Sequence, residues 1–273
     1  TLINKTNIIN YRIAPYFNDI PISDITPAMV RKWQNEIINS GLAPTTQRYI
    51  NCILSAILTF AVKYYNLPFN PVSRVGSIGK LKAENINFWT LEEYKQFIGY
   101  VDKPMYKMMF ELFFFTGLRC GELLALTYND IDTENGILSV NKSLATVNGK
   151  TIIQTPKTAK SKRKIALPPF IIKHLQEYVK HLYGYEPGAR LFQIKRMGVT
   201  NALKKACELS GVKKIRIHDL RHSHASLLIN LNFSPTLIAD RLGHENVTTT
   251  LNIYGHLYPS KQAEVVEKLE KLQ

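Results

Sequence analysis

Between Asn66 and Asn87 the helical patterning of this chain breaks, and the break limits what its 273 residues can fold into. Pro68, Pro71, Gly76 and Gly79 interrupt any regular element there, while Arg74, Lys80 and Lys82 add positive charge. Such a stretch reads as an interdomain linker, so the chain divides into two units. We place the first domain at 1–79, the linker at 80–88 and the second domain at 89–273. A basic linker lying along a phosphate backbone and a merely solvated connection are both open readings.

The front domain reads as helical. Thr26-Pro27 has the form of an N-cap followed by proline at the first helical position, and Val30, Trp33 and Ile37 recur at helical spacing before Gly41. After Pro44-Thr45-Thr46 a longer stripe runs through Ile50, Ile53, Leu54, Ile57 and Ala61. These stripes are core faces rather than cofactor boxes. A new unit opens at Thr90, which stands to Glu93 as in a capping box. The apolar run from Met108 to Phe115 predicts a buried helix ending at Thr116-Gly117, followed by a helix through Glu122 and Leu126. From Gly136 to Leu167 the character changes. Ile137, Leu138, Val140, Ile152, Ile153 and Ile165, separated by Asn148-Gly149 and polar stretches, predict one small antiparallel sheet. Helices return after Pro168, one of them starting at Ser234-Pro235. The expected class is mainly α with a small antiparallel β-sheet: a helical domain followed by a mixed α/β domain.

Charge narrows the function. Lys and Arg total 35 against 21 acids, a formal charge of +14, which points to a polyanion and first to nucleic acid; the competing reading is a basic but unspecialised surface. Cys52, Cys120 and Cys207 are too few and too scattered for a disulfide framework, and fit a reducing cytoplasm. No apolar run approaches membrane-spanning length, so no membrane partner is expected. The abundance of Ile, Asn and Lys suggests an AT-rich bacterial genome. The chain opens on Thr1 rather than Met and is expected to begin inside a longer protein.

Several residues carry chemistry. In Thr116-Gly117-Leu118-Arg119-Cys120-Gly121-Glu122-Leu123, Glu122 falls three residues after Arg119 and can hold its guanidinium, though structural ion pairs of this kind are common. His218-Asp219-Leu220-Arg221 puts a proton-exchanging imidazole and a phosphate-matched fork three residues apart. His222 and His224 lie close by and raise a metal site, but no cysteine pair stands at ligand spacing and no His-Glu-x-x-His occurs. Leu242-Gly243-His244 follows, then Tyr254 ten residues after His244. With fourteen tyrosines present, Tyr254 gains weight only from its place after the other elements.

In the order Arg, Lys, His-x-x-Arg, His, Tyr the chain resembles the tyrosine recombinases, especially the integrases of phages and conjugative transposons. The matching words are TGLRCGELLAL, TPKTAKSKRKIALP, HDLRHSHASLL and LGHENVTTTLNIYGHL. The resemblance covers nearly the whole chain, with 90–273 similar to the catalytic domain and the helical first third to the core-binding domain. It implies that Arg119 and Arg221 clamp the non-bridging oxygens of the scissile phosphate. It implies that His218 and His244 hydrogen-bond that phosphate, with His218 the better candidate for taking the tyrosine proton. Lys157, in the Pro156-Lys157-Thr158 turn, is implied as the acid for the departing 5′ oxygen, with Lys160, Lys162 and Lys164 crowding the same hairpin. Glu122 would brace Arg119, and Tyr254 would be the nucleophile, with Tyr258 a rival four residues on.

These residue types suit the chemistry. Fixed cations belong where phosphoryl charge grows during in-line attack, and two arginines with two imidazoles supply them without a metal. A free tyrosine has a pKa of about 10 and needs activation to attack at neutral pH. The covalent link conserves the phosphodiester energy, so no cofactor is expected.

The resemblance implies a site-specific DNA recombinase that integrates and excises a mobile element through a 3′-phosphotyrosine, closing two domains around duplex DNA. Its implied partners are double-stranded DNA, further copies of the chain (a tetramer in the synaptic complex), an excisionase and host DNA-bending proteins. The segment Ser260–Gln273 reads as an amphipathic tail with Val265, Val266 and Leu269 on one side. Docking on a neighbouring subunit and packing on its own domain are both open for it. Integrases of this kind usually carry an additional N-terminal arm-binding domain, which is expected to lie in the part of the longer protein that precedes Thr1. Two alternatives stand beside the recombinase: a topoisomerase-like DNA-relaxing enzyme, and a catalytically silent DNA-binding regulator.

Overall fold

The structure, a computed structural model, describes residues 2–81, 86–147, 149–155 and 159–258, together with Val266, Leu269 and Glu270. It divides into two compact units, Thr1–Asn85 and Ile86–Gln273.

The first unit is helical among its described residues. It begins with α1 (Leu2–Ile8), a π-helical turn (Ile9–Ile13) and α2 (Ala14–Phe17). Then come α3 (Pro27–Asn39), α4 (Pro44–Tyr64) and the short α5 (Pro71–Val75). Thr26 caps α3 by accepting from Met29 N, and Pro27 and Pro44 occupy first-turn positions where a missing N–H costs nothing. The stripes read from the sequence form one core of Val30, Trp33, Ile37, Ile50, Ile53, Leu54 and Ala61, which Leu58 joins. A fully buried side chain of this size contributes roughly 1.5–3 kcal/mol. The Trp33 indole donates to Arg12 O at 2.8 Å, so the ring is buried without losing its hydrogen bond.

The Pro- and Gly-rich stretch departs from the reading of it as linker from Asn66 onward. Asn70 caps α5, Val72 and Ile78 join the core, and buried Gln34 donates to Gly76 O at 2.8 Å. Prolines at a helix start and glycines outside regular elements are compatible with packed structure, so their density alone does not mark a free connection. Gly79 has φ +74°, and a Cβ there would strike Pro44 O, so only glycine fits this approach to the start of α4.

The second unit opens with α6 (Leu91–Ile98), whose Thr90–Glu93 capping box forms as expected. Helix α7 (Pro104–Thr116) is buried on nearly every side from Met108 to Phe114 and is the centre of the larger core. Gly117, at φ +66°, turns the chain into α8 (Cys120–Ala125). A Cβ on Gly117 would lie 2.7 Å from Leu242 and 2.8 Å from His224, so the turn is pressed against the elements that complete the site.

The expected single sheet is two. Strands β1 (Ile131–Asp132), β2 (Ile137–Val140) and β5 (Arg163–Ala166) form one antiparallel sheet in the order β1-β2-β5, with Leu138 opposite Ile165. Strands β3 (Ser143–Val147) and β4 (Lys150–Gln154) make a separate hairpin. Leu138, Val140 and Ile165 are buried, whereas Ile152 and Ile153 are exposed; apolar content alone did not separate a core sheet from a projecting hairpin. Helices α9 (Pro169–Lys180), α10 (Arg196–Ser210), α11 (Asp219–Asn230), α12 (Pro235–Leu242) and α13 (Val247–Tyr254) complete the unit. Ser234 caps α12 as read.

The three cysteines are free. Among the described residues no helix is long and apolar enough to cross a membrane. Most of the expected tail, 260–273, lies outside the described residues; Val266 and Leu269 are helical and exposed.

Candidate active site

The site is assembled on the C-terminus of α12. A helix end leaves carbonyls without intrahelical donors and carries partial negative charge, which attracts cations. Here three successive carbonyls each accept from a different arginine. Arg163 Nε donates to Arg241 O at 2.8 Å, Arg221 Nη2 to Leu242 O at 2.6 Å, and Arg119 Nη2 to Gly243 O at 3.3 Å. Gly243, at φ +67°, reverses the chain, and His244 follows. Thus residues far apart in sequence converge on one turn.

Arg119 stands at the N-cap position of α8, where its backbone N–H donates to Glu122 Oε2 at 2.9 Å and its guanidinium to Oε1 at 2.8 Å. Glu122 is 5% exposed. Burial would raise its pKa, but hydrogen bonds and charge from Arg163, then Arg119, outweigh it and hold the carboxyl below its ordinary value. Arg221, 2% exposed, is fixed by Gly117 O at 2.8 Å as well as Leu242 O. Burial, then the nearby Arg119 and Arg163, push its pKa down to about 9, which leaves it protonated at neutral pH.

Tyr254 ends α13 with its ring buried. Its phenol lies 2.7 Å from His222 Nδ1. Burial raises the Tyr254 pKa to about 12 against the opposing charge of Arg221, while burial and then the neighbouring His218 lower His222 to about 4. At neutral pH the phenol is therefore protonated and the imidazole neutral, so the O–H donates to the ring nitrogen. His218, at the N-cap position of α11, packs edge-on against His222 with centroids 5.1 Å apart. Burial and then Arg221 hold His218 below the usual imidazole value. His244 pairs through Nδ1 with Thr250 Oγ1 at 2.8 Å, and burial, followed by Arg221 and Arg119, lowers it to about 4.

Arg119, Glu122, His218, Arg221, His244 and Tyr254 are thus brought into one electrostatically coupled cluster. Lys157 lies outside the described residues. Tyr258 reaches instead toward Phe233 O, at 3.5 Å.

Two residues of the cluster went unassigned from sequence. The sequence brings His222 forward only as a neighbour in a metal site, although it lies four residues after His218 on the same helical face. Arg163 is masked in the sequence by the hairpin lysines around it, although it is two residues before the buried Ile165 and so shares its strand face. His224 is structural: its Nδ1–H donates to Phe114 O at 2.8 Å, and Nε2 accepts from Arg241 at 3.1 Å. Among the described residues no group of three His, Cys, Asp or Glu side chains is arranged to hold a metal ion.

Comparison with known proteins decides the family. The family model described as "Phage integrase family" matches residues 74–261, and "Phage integrase, N-terminal SAM-like domain" matches residues 1–38. This chain belongs to the phage integrase family. The ICEBs1 integrase of Bacillus subtilis is 35% identical, the alignment covering 98% of this chain and 77% of that protein. The integrase of Staphylococcus phage L54a is 29% identical over 98% of this chain and 85% of its own length. Among solved structures, the Tn1549 transposon integrase bound to a circular-intermediate DNA superposes with a TM-score of 0.84 at 21% identity, covering 100% of this chain and 93% of that one. A lambda integrase dimer bound to a core site gives 0.68 at 23% identity, covering 91% of this chain and 89% of that one. The integrase is a tyrosine site-specific recombinase of mobile elements, and its mainly helical fold with small antiparallel sheets is that of tyrosine recombinase catalytic domains.

Proposed function

We propose that this recombinase cuts and rejoins double-stranded DNA by attack of Tyr254 Oη on a backbone phosphate, forming a 3′-phosphotyrosine and releasing a 5′ hydroxyl. The observation that carries this reading is the buried Tyr254 phenol hydrogen-bonded to His222 within the field of Arg221. As the oxygen–phosphorus bond forms, the phenolic proton passes to His222, the group in contact with it. His218, which the resemblance gave that part, packs edge-on against His222. Arg119 and Arg221 take the charge that grows on the non-bridging oxygens, and His244 and His218 each donate a ring N–H to the same phosphate. Lys157 protonates the leaving 5′ oxygen, as the family resemblance implies. Rejoining runs the same steps backwards.

In this reading the first unit is a core-binding domain, at 1–79, and the second, at 89–273, is catalytic. Double-stranded DNA as the substrate is supported by the Tn1549 and lambda integrase structures, which are DNA complexes. Assembly of a tetramer through the 260–273 segment, and aid from an excisionase and DNA-bending proteins, belong to the same proposal.

The test is a nicked duplex that traps the covalent adduct, with the DNA-linked residue mapped by mass spectrometry. Wild type is expected to carry the DNA on Tyr254, and Tyr254→Phe to bind DNA without forming adduct. Adduct persisting in Tyr254→Phe would refute the assignment.

A further inference from the structure

We propose that Arg163 is a positioning residue of the recombination site, which holds Glu122 so that the charge of Arg119 is left for the phosphate. The proposal rests on the reading above that Arg119 binds that phosphate.

Arg163 lies on β5, and its side chain is only 5% exposed. Its guanidinium straddles Glu122, with Nη2 at 2.9 Å from Oε2 and Nη1 at 3.2 Å from Oε1. Nε is anchored on Arg241 O at 2.8 Å, and Nη1 also meets Ser161 O at 3.3 Å. A Cβ on Gly243 would stand 3.0 Å from Arg163 Cδ, so the side chain runs directly beneath the turn before His244.

Glu122 therefore accepts four hydrogen bonds: two from Arg163, one from the Arg119 backbone and one from the Arg119 guanidinium. A carboxylate offers about four lone-pair directions, so the group is saturated and cannot turn. Two arginine charges against one carboxylate leave a net positive charge on the trio. Without Arg163, Glu122 would neutralise Arg119 alone and be free to swing into a two-pronged pair with it, drawing donors away from the phosphate. Because Arg163 is itself buried and committed to Glu122 and backbone carbonyls, it acts through Arg119 rather than on DNA.

The experiment is single-turnover cleavage of the nicked duplex by Arg163→Gln, Arg163→Lys, Arg119→Lys and their combinations, with DNA binding and Tm measured alongside. Misplacing one phosphate ligand costs roughly a hundred-fold in rate, which is the loss expected for Arg163→Gln. Within the Arg119→Lys background the same change should cost far less, because both act on one step. Arg163→Gln combined with Glu122→Gln should recover part of the lost rate, since it removes the carboxylate left opposite Arg119. Arg163→Lys keeps the buried cation without the fork, so it remains the variant to read if Arg163→Gln does not fold, and it should be slowed at near-native Tm. An unaltered rate in Arg163→Lys and Arg163→Gln, losses that multiply with Arg119→Lys, or further loss on adding Glu122→Gln overturns the proposal. Arg119→Lys cleaving at full rate would instead bring down the phosphate-clamp reading beneath it.

Discussion

The Tyr254 phenol and His222 Nδ1 are 2.7 Å apart, and the imidazole follows directly on Arg221, the most enclosed cation of the site. In the proposed mechanism nucleophile, proton acceptor and phosphate ligand therefore all stand on two short helices, α11 and α13. The neutral imidazole is matched to the protonated phenol: each satisfies the other in the resting site, and arrival of a phosphate anion beside the ring favours moving the proton across.

Replacing His222 tests this pairing. His222→Gln preserves an acceptor for the phenol but not a base, and adduct formation is expected to slow by roughly a hundred- to ten-thousand-fold, the usual range for acid–base help. A duplex with a sulfur leaving group at the 5′ position, which needs no acid, should not restore the rate. A wild-type rate in His222→Gln would return the proton to His218.

Stability should fall as the solution is acidified below neutrality. His222 and His244 are held at about 4 and His224 at about 3 in the folded chain, against 6.5 when unfolded. Between those limits the unfolded chain binds the extra protons, so unfolding becomes easier as pH drops from about 6.5 toward 4. For the fully enclosed His224 the loss at pH 5 is on the order of 2 kcal/mol. Urea unfolding at pH 7 and pH 5 measures it, and His224→Gln should flatten the dependence. Equal midpoints at the two pH values would contradict the burial of these rings.

Gly117→Ala is expected to destabilise the second unit by roughly 1–3 kcal/mol. The residue sits at φ +66°, and the added methyl would collide with Leu242 and His224. Because Gly117 O also holds Arg221, cleavage should fall more than DNA binding. A thermal melt together with a filter-binding curve separates the two effects, and an unchanged melt would count against the packed turn.

DNA affinity should weaken steeply with salt, since a chain of net charge +14 that meets phosphates releases counterions on binding. Titrations at several salt concentrations give the slope. Cleavage is expected to survive a chelator, because in the proposed mechanism arginine and imidazole meet the charge on the phosphate. Activity lost in EDTA and restored by magnesium would overturn that mechanism.

Much of the site could be read locally. Arg119 with Glu122, and His218 with Arg221, lie three residues apart, so helical spacing alone announces that each pair shares a face. The caps at Thr26, Thr90 and Ser234 were equally legible, because a capping side chain bonds backbone only two or three residues away. His222 and Arg163 were not, since their partners Tyr254 and Glu122 stand 32 and 41 residues away. The division of the strands into two sheets was hidden for a similar reason: apolar residues of β2, β4 and β5 look alike until burial separates Ile165 from Ile152.

The two-part organisation, the mainly helical class, the positive charge and the ordered set of reactive residue types are legible along the chain alone. Those follow from local periodicity, composition and motif order, which need no distant neighbour. That three arginines share successive carbonyls at the end of α12, that the phenol rests on His222, and that the stretch after Asn66 packs as far as Ile78 emerge from the folded chain. Each is a contact between segments far apart in the chain, set by which buried groups must find a donor or acceptor once water is excluded.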